Sequence, residues 1–403
     1  MKVGTPGFVG ERLRAGREAR GLNATTLAEL VGVTPAAMGH YEKGLQSPRP
    51  EVMRAIAEKL ALPVRHFLRA MPAPAVRKGF YRSMSAATKT DRLRAERRQG
   101  WTREIKTYLS SYVAFPHVNL PSFDMPADPK AISNGDIEAF AERTREFWSL
   151  GSGPITNCVW LVENNGTTVV HSPLGAETLD SFSEWADGMP YIFLGAERGC
   201  AVRDRFNVAH ELGHLILHRD IDDKHLRYIP ADHRKMEEQA NRFAGAFLLP
   251  AKSFARDVYA VTLEALLGLK LRWKVSIGAM LKRAEALEFI SHDQLQRTWV
   301  AYSRRGWRLQ EPLDDRIAAE QPHLLRHAFE LLVQSGANVR GEILTSGLCS
   351  SRDIEVLCGL PEGFLSEEGP KEVSSPIVLM RDAAPLPGSS GGGSIVPFRK
   401  RSK

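Results

Sequence analysis

Cysteine is scarce in this sequence of 403 residues, with only Cys158, Cys200, Cys349 and Cys358. They lie too far apart for a disulfide framework or for the C-x-x-C pairs of a structural zinc site, so they are expected to be reduced thiols. Long hydrophobic runs are missing too. Nothing approaches the roughly eighteen consecutive apolar residues of a membrane span, and the opening MKVGTPGFVGERLRAGR has no apolar stretch of the secretory kind, so the expected location is the cytoplasm, away from membranes. No internal repeat is visible. With 43% hydrophobic and 25% charged residues, the chain is not of the disordered class and can bury substantial cores. Its length suggests about two or three domains.

Charge is unevenly placed. The formal excess of +7 is matched by one segment, Val76 to Lys106, which holds ten basic residues against three acidic ones, leaving the remainder near neutral. Two readings stay open for this stretch: a basic element that tracks phosphates, or a solvated connecting helix.

Punctuation divides the chain. Residues 1–70 read as a cluster of short helices whose apolar positions recur at three- and four-residue spacing, closed by the helix-breaking MPAPAV. A basic helical linker is expected over 71–130, ending in the proline-rich stretch 116–129. Over 131–255 we expect a helix from Ile132 to Ser149, then a hairpin whose strands Cys158–Val162 and Thr167–Val170 flank Asn164-Asn165-Gly166. A third strand over Pro190–Leu194 and helices over Asp204–His218 and Arg234–Leu249 complete that region. Residues 256–365 read as helical or mixed. Within them, Leu271–Ser276 before a helix over Ile277–Leu287 suggests either a second helix-turn-helix-like element or, preferentially, core packing. Residues 366–403, with PGSSGGGS and a basic end, read as a flexible tail.

His210-Glu211-Leu212-Gly213-His214 carries the chemistry. Two imidazoles four residues apart on a helix share one face and can hold one ion. Glu211, beside the first of them, is placed to take a proton from a water activated by the ion and pass it to a leaving amine. By chance alone, H-E-x-x-H arises in roughly one such chain in forty, so context has to decide. The surrounding helix is apolar nearly all round, and buried polar groups need partners or a metal. A third ligand is expected from a second helix, where Glu237 and Glu238 compete. Asn241 could fix a ligand histidine through its far ring nitrogen. His218 continues the same face as a third ligand, a partner behind a ligand histidine, or a core histidine; the second is preferred. Imidazole donors favour zinc over magnesium or calcium. His225, Tyr228 and His233 lie near enough in sequence to be considered for stabilising an oxyanion.

These residues resemble ImmA/IrrE-type metallopeptidase domains, which are often fused to XRE-type helix-turn-helix domains. The likeness is most specific at Arg203-Asp204-Arg205-Phe206 leading into His210 to His218, and at Glu237-x-x-Ala240-Asn241-Arg242-Phe243-Ala244 before Leu248-Leu249-Pro250. Weaker echoes are Phe80-Tyr81-Arg82-Ser83, Asp180-Ser181-Phe182-Ser183 and Arg305-Gly306-Trp307-Arg308. The resemblance implies zinc (Zn2+) ligands at His210, His214 and Glu237, with Glu211 as catalytic base. It also implies a regulatory protein, commonly a repressor, as substrate.

In the N-terminal unit, Thr25 to Thr34 fits the first helix and turn of a helix-turn-helix, with Ala28 at the close-packed spot and Gly32 at the turn. Pro35 to Lys43 is then the recognition helix, with Thr34 as N-cap and Pro35 at its first position. Thr25, Thr34, Ala36, Ala37, His40, Tyr41 and Lys43 are the candidate DNA contacts, entering the major groove through residues 34–43. Ala24 departs from the XRE pattern, where glutamine often steadies a phosphate.

The expected whole is mainly α with a small β-sheet (α+β): a five-helix XRE-type helix-turn-helix domain, a zincin-like metallopeptidase domain and a C-terminal helical or mixed region. Its expected function is that of a DNA-binding transcription regulator whose zinc endopeptidase cleaves a repressor or toxin-system protein. A homodimer would suit paired operators. The rivals are a transcription factor whose zinc domain is a non-catalytic sensing scaffold, and an antitoxin acting by protein contacts.

Overall fold

The computed structural model describes residues 4–79, 88–175, 180–197, 199–221, 230–336 and 338–366. The chain is mainly helical with one four-stranded sheet, as expected. The flexible tail expected over 366–403 lies outside the described residues apart from Ser366.

The first unit holds α1 (Gly10–Ala19), α2 (Ala24–Leu30), α3 (Pro35–Glu42) and α4 (Pro50–Leu60), closed by a 3-10 turn at Val64–Leu68. Local signals explain the boundaries. Asn23 and Thr34 accept the Thr26 and Ala37 amides and so cap α2 and α3, and Pro35 and Pro50 sit at first helical positions, where a missing N–H costs nothing. Gly32 turns the chain between α2 and α3 at φ +70°, a conformation open to glycine. Leu27, Ala28, Met38, Ile56 and Phe67 are fully buried beneath.

Helix α5 (Lys89–Leu109) is no spacer. Ala95, Trp101, Ile105 and Leu109 lie in the same core as the first unit. Several of its cations are paired inside the molecule: Arg97 with Glu18 at 2.7 Å and Arg103 with Glu184 at 2.5 Å. Arg94 donates to the Gly175 carbonyl at 2.9 Å, and Arg98 to that of Pro173. The connecting role expected for 71–130 therefore gives way, over these residues, to a scaffold helix.

The sheet comprises β1 (Arg77–Gly79), β2 (Thr168–Ser172), β3 (Ser181–Ala186) and β4 (Met189–Gly195), in the order β1-β3-β4-β2. β3 pairs antiparallel with β1 and β4, while β2 runs parallel to β4. Alternation sends Val170, Phe182, Tyr191 and Phe193 into one core and Val169, Trp185, Ile192 and Leu194 into the other. Both faces are covered, which explains the nearly continuous apolar runs.

One local expectation is corrected here. Cys158–Asn164 is a helix, α7, rather than the first strand of a hairpin. Asn157 caps it by accepting the Trp160 amide at 2.9 Å, and Cys158, Val159 and Val162 are buried on one face while Trp160 is exposed. Asn165-Gly166 ends the helix, with Gly166 at φ +86° as a left-handed stop. The hairpin turn is instead Asp187-Gly188, both at positive φ, between β3 and β4.

The second core joins α6 (Asn134–Phe147), α7, α8 (Ala201–Leu217), α9 (Pro230–Leu248), α10 (Ala251–Asp257), α11 (Leu263–Trp273), α12 (Ile277–Ala286) and α13 (His292–Arg304). Ile277, Met280 and Leu281 are wholly buried in it, so α12 packs as core. Helices α14 (Leu324–Gln334), α15 (Val339–Ser346) and α16 (Ser351–Cys358) return to the first core. There Arg20, the residue that closes α1, makes a double contact with Asp353 at 2.7 and 2.6 Å. All four cysteines are free thiols. Among the described residues no helix is long and apolar enough to cross a membrane.

Candidate metal centre and helix-turn-helix face

Helix α8 is buried because its residues are apolar on almost every side: Val208, Ala209, Leu212, Leu215, Ile216 and Leu217 are all inside. His210, Glu211 and His214 are carried in with them, at 9%, 1% and 1% exposure. The partner helix α9 packs against Gly213. A Cβ there would sit 3.1 Å from Phe243 Cδ1 and 3.3 Å from Ala240 Cα, so the glycine of the motif and the alanine facing it set how near the second helix can come.

That approach brings Glu237 between the two rings. Its Oε2 lies 3.3 Å from His210 Nε2 and its Oε1 3.4 Å from His214 Nε2, while the two Nε2 atoms are 3.1 Å apart. One donor atom from each residue falls within 4.8 Å of the others. Glu238, the competing carboxylate, is exposed. His233 Nε2 lies 3.3 Å from Glu237 Oε1, one turn earlier on α9. His225 and Tyr228 lie outside the described residues.

The protonation pattern follows from a chain of hydrogen bonds. Gln239 is buried, and its amide nitrogen donates to the Pro129 carbonyl at 2.7 Å and the Ile132 carbonyl at 3.2 Å, which leaves its Oε1 as an acceptor. His218 Nε2, 3.0 Å from that oxygen, must carry the proton, so His218 Nδ1 is bare. His214 Nδ1, 2.9 Å away, must then donate, and His214 Nε2 is left with a lone pair. Asn241 Oδ1 plays the same part for His210, 3.1 Å from its Nδ1. Two lone pairs and a carboxylate thus converge on one point, and the buried Glu237 Oε1 finds no well-directed donor among the described residues. This donor set fits a cation held by His210, His214 and Glu237.

The charges around the rings pull in different directions, His218 toward the neutral form and His210 toward the protonated one. Burial, reinforced by His214, pushes the His218 ring well below its usual range and keeps it neutral. Burial alone would raise the Glu237 carboxyl, but His210 and His214 hold it far below the ordinary carboxylate value. Burial lowers His210, yet contact with Glu237 and the charge of Glu211 bring it out raised.

Glu211 is oriented by β3. Ser181 and Ser183, on one face of that strand, donate to its two carboxylate oxygens at 2.7 Å each, and Trp185, next on the same face, donates to the Leu215 carbonyl at 3.1 Å. Sequence reasoning singled out neither serine as a partner of Glu211, nor Gln239 at all. The period-two spacing of Ser181, Ser183 and Trp185 was the available signal.

On the first unit, Thr25, Thr34, Ala36, His40 and Lys43 are exposed, whereas Ala37 and Tyr41 are half-buried. Tyr41 packs against the first core, which turns part of its surface away from any groove. Met38 anchors α3 from below, with none of its surface exposed.

The fold and this pair of sites place a helix-turn-helix unit beside a domain that carries a candidate metal site. Comparison with family profiles agrees: residues 9–68 match the helix-turn-helix domain, and residues 162–285 match the IrrE N-terminal-like domain, a peptidase family. The chain is thus a fusion of a helix-turn-helix domain with an IrrE N-terminal-like domain. The second match takes in β2 to β4, α8, α9 and most of α12, including every residue of the metal centre. No curated protein matches the chain.

Proposed function

We propose that the chain is a cytoplasmic DNA-binding regulator whose second domain is a zinc-dependent endopeptidase acting on a regulatory protein, such as a repressor. The observation that carries the metal reading is the convergence of His210 Nε2, His214 Nε2 and the Glu237 carboxylate, with Asn241 and His218 placed to accept from the far ring nitrogens. Two neutral imidazoles and one carboxylate suit zinc, and three protein donors leave a position for water or substrate.

A bound zinc ion would polarise the peptide carbonyl and make water nucleophilic at neutral pH. The chain's own residues do the rest. Glu211 accepts the proton of the attacking water and returns it to the leaving amine. Ser181 and Ser183 fix its carboxylate while leaving each oxygen a second lone pair. Asn241 and His218 hold the ligand rings from behind. His40 and Lys43 of α3 are the strongest candidates to meet base edges or phosphates in the major groove, with Ala36 available to a thymine methyl group. Thr25 and Thr34 lie exposed beside them. A homodimer on paired half-sites suits this arrangement.

The serine clamp also supports a second reading, in which Glu211 is a structural member of a sensing scaffold and no bond is cut. Glu211→Gln separates the two. The first reading expects zinc content unchanged and hydrolysis of the target protein abolished. Regulation and proteolysis that survive intact in this variant would remove Glu211 as the base.

A further inference from the structure

A cavity of about 470 Å³ lies where the C-terminal helices meet the second domain, within the size range of small-ligand sites. Trp160 of α7 and Val169 and His171 of β2 supply one side, and Leu325 of α14 and Leu357 of α16 the other. None of His210, Glu211, His214 or Glu237 lines it.

Val169, Leu325 and Leu357 are buried, which gives the cavity an apolar base. Trp160 is a large ring that the core does not use, and it is left 46% exposed. It is nonetheless held in one orientation: its Nε1 donates to the Gln321 carbonyl at 3.2 Å, and the His323 ring lies 4.5 Å away, tilted by 34°. A fixed, exposed indole in the wall of a cavity is a stacking platform whose ordering cost is already met.

Charge in the lining is neutralised. Arg326 pairs with Glu330 at 2.7 Å, and burial, with the neighbouring His327, lowers the His323 ring below its usual range and keeps it neutral. This favours an uncharged ligand. What the cavity offers to such a ligand is the exposed amide of Gln321, whose Oε1 stands 3.4 Å from His171 Nδ1 and whose Nε2 makes no hydrogen bond among the described residues. An amide presents one acceptor beside one donor, the pattern that matches the edge of a purine.

We propose that this cavity binds a purine base, stacked on Trp160 and read along one edge by Gln321, as an effector site separate from the metal centre. Both sides of the junction contribute to it, so the base binds only while the C-terminal helices stay docked, and its binding stabilises that docking. The strap that carries Gln321 also carries Glu320, the partner of Arg205 on α8, which places the ligand one residue from a contact to the motif helix. The site stands whether or not the metallopeptidase reading does.

Adenosine and guanosine are the probes, titrated into the full chain by calorimetry, with circular dichroism reporting that each variant is folded. At least one of them should bind saturably at one site and raise the Tm. Trp160→Ala and Gln321→Leu, both at exposed positions, should each weaken that binding roughly five- to a hundredfold. Ala319→Trp, which puts a ring into the cavity from another exposed position, should abolish it. His214→Ala should leave it unchanged, since the base is not held at the metal centre. Saturable binding of neither nucleoside, affinity that survives all three cavity substitutions, or affinity lost in His214→Ala overturns the site.

Discussion

Replacing Gln239 by methionine tests the hydrogen-bond chain behind the metal centre. The side chain is buried and of similar volume, so the change removes polarity with little change of shape. His218 Nε2 then loses its acceptor, and nothing holds its proton on that nitrogen. If the proton moves to Nδ1, it faces His214 Nδ1, which must become an acceptor, and His214 Nε2 gains the proton that blocks metal binding. The lost bond is worth about 1–3 kcal/mol in a buried setting. At about 1.4 kcal/mol per factor of ten, zinc affinity should fall roughly ten- to a hundredfold, the range typical of partners behind a metal ligand. Gln239→Glu restores an acceptor for His218 and should recover much of the loss. The assay is competition against a chromophoric chelator, with far-ultraviolet circular dichroism reporting that the variant is folded. A folded Gln239→Met protein that binds zinc within about threefold of the natural one would refute the chain.

Zinc at a hundred times its dissociation constant should stabilise the peptidase domain by about 2.7 kcal/mol, read as a higher Tm, and His214→Ala should remove that rise. Lys106 is buried against Tyr191 and Phe115, donates to Thr168 Oγ1 at 2.7 Å, and has its pKa pushed down to about 8 by burial. The unfolded chain holds this proton up to about pH 10.5, so the natural protein gains stability as pH rises from 8 to 10.5. Lys106→Met should therefore stabilise by about 2 kcal/mol at pH 7 after allowing for the lost hydrogen bond, and the gap should close by pH 10.5. Denaturant titrations at the two pH values check this, and a constant gap would contradict it. Lys43→Ala should weaken DNA binding and reduce its salt slope by about one. Arg97→Ala should leave that slope unchanged and instead lower stability by about 1 kcal/mol, since its partner Glu18 is buried and keeps Arg14.

The motif helix, its partner helix and the clustering of His210, His214 and Glu237 were legible because they rest on spacing within one helix and on the family resemblance. The positions of His210 and His214 on one face follow from four-residue spacing alone, and the third member of the cluster needed only a tie broken between neighbours. Asn165-Gly166 misled because the same dipeptide serves as a hairpin turn or as a helix stop, and Asn157 as N-cap decides in favour of the helix. The basic segment misled for another reason. A cation's partner cannot be read from its own neighbourhood, and those of Arg97 and Arg103 lie 79 and 81 residues away, as Glu18 and Glu184.

The same holds for the contacts that join the two domains. Glu320 accepts the Cys158 and Val159 amides, which caps α7, and pairs with Arg205 of α8. Glu163, at the far end of α7, accepts the His323 and Leu324 amides and so caps α14. Burial pushes this carboxyl up to about 8 against the pull of those amides, so the contact is held at the cost of desolvating an acid. Further on, Asp353 of α16 grips Arg20 at the end of α1, and the Leu348 carbonyl meets His66 Nδ1 at 2.6 Å. Each contact links a side chain to a segment between 115 and 333 residues away, and none leaves a period in the sequence. Helix α8 and the end of α1 are therefore linked through the C-terminal helices, by Glu320 and Glu163 on one side and Asp353 on the other, with apolar packing between. The proline-rich punctuation marks where the chain turns, but it does not mark where the molecule can be pulled apart.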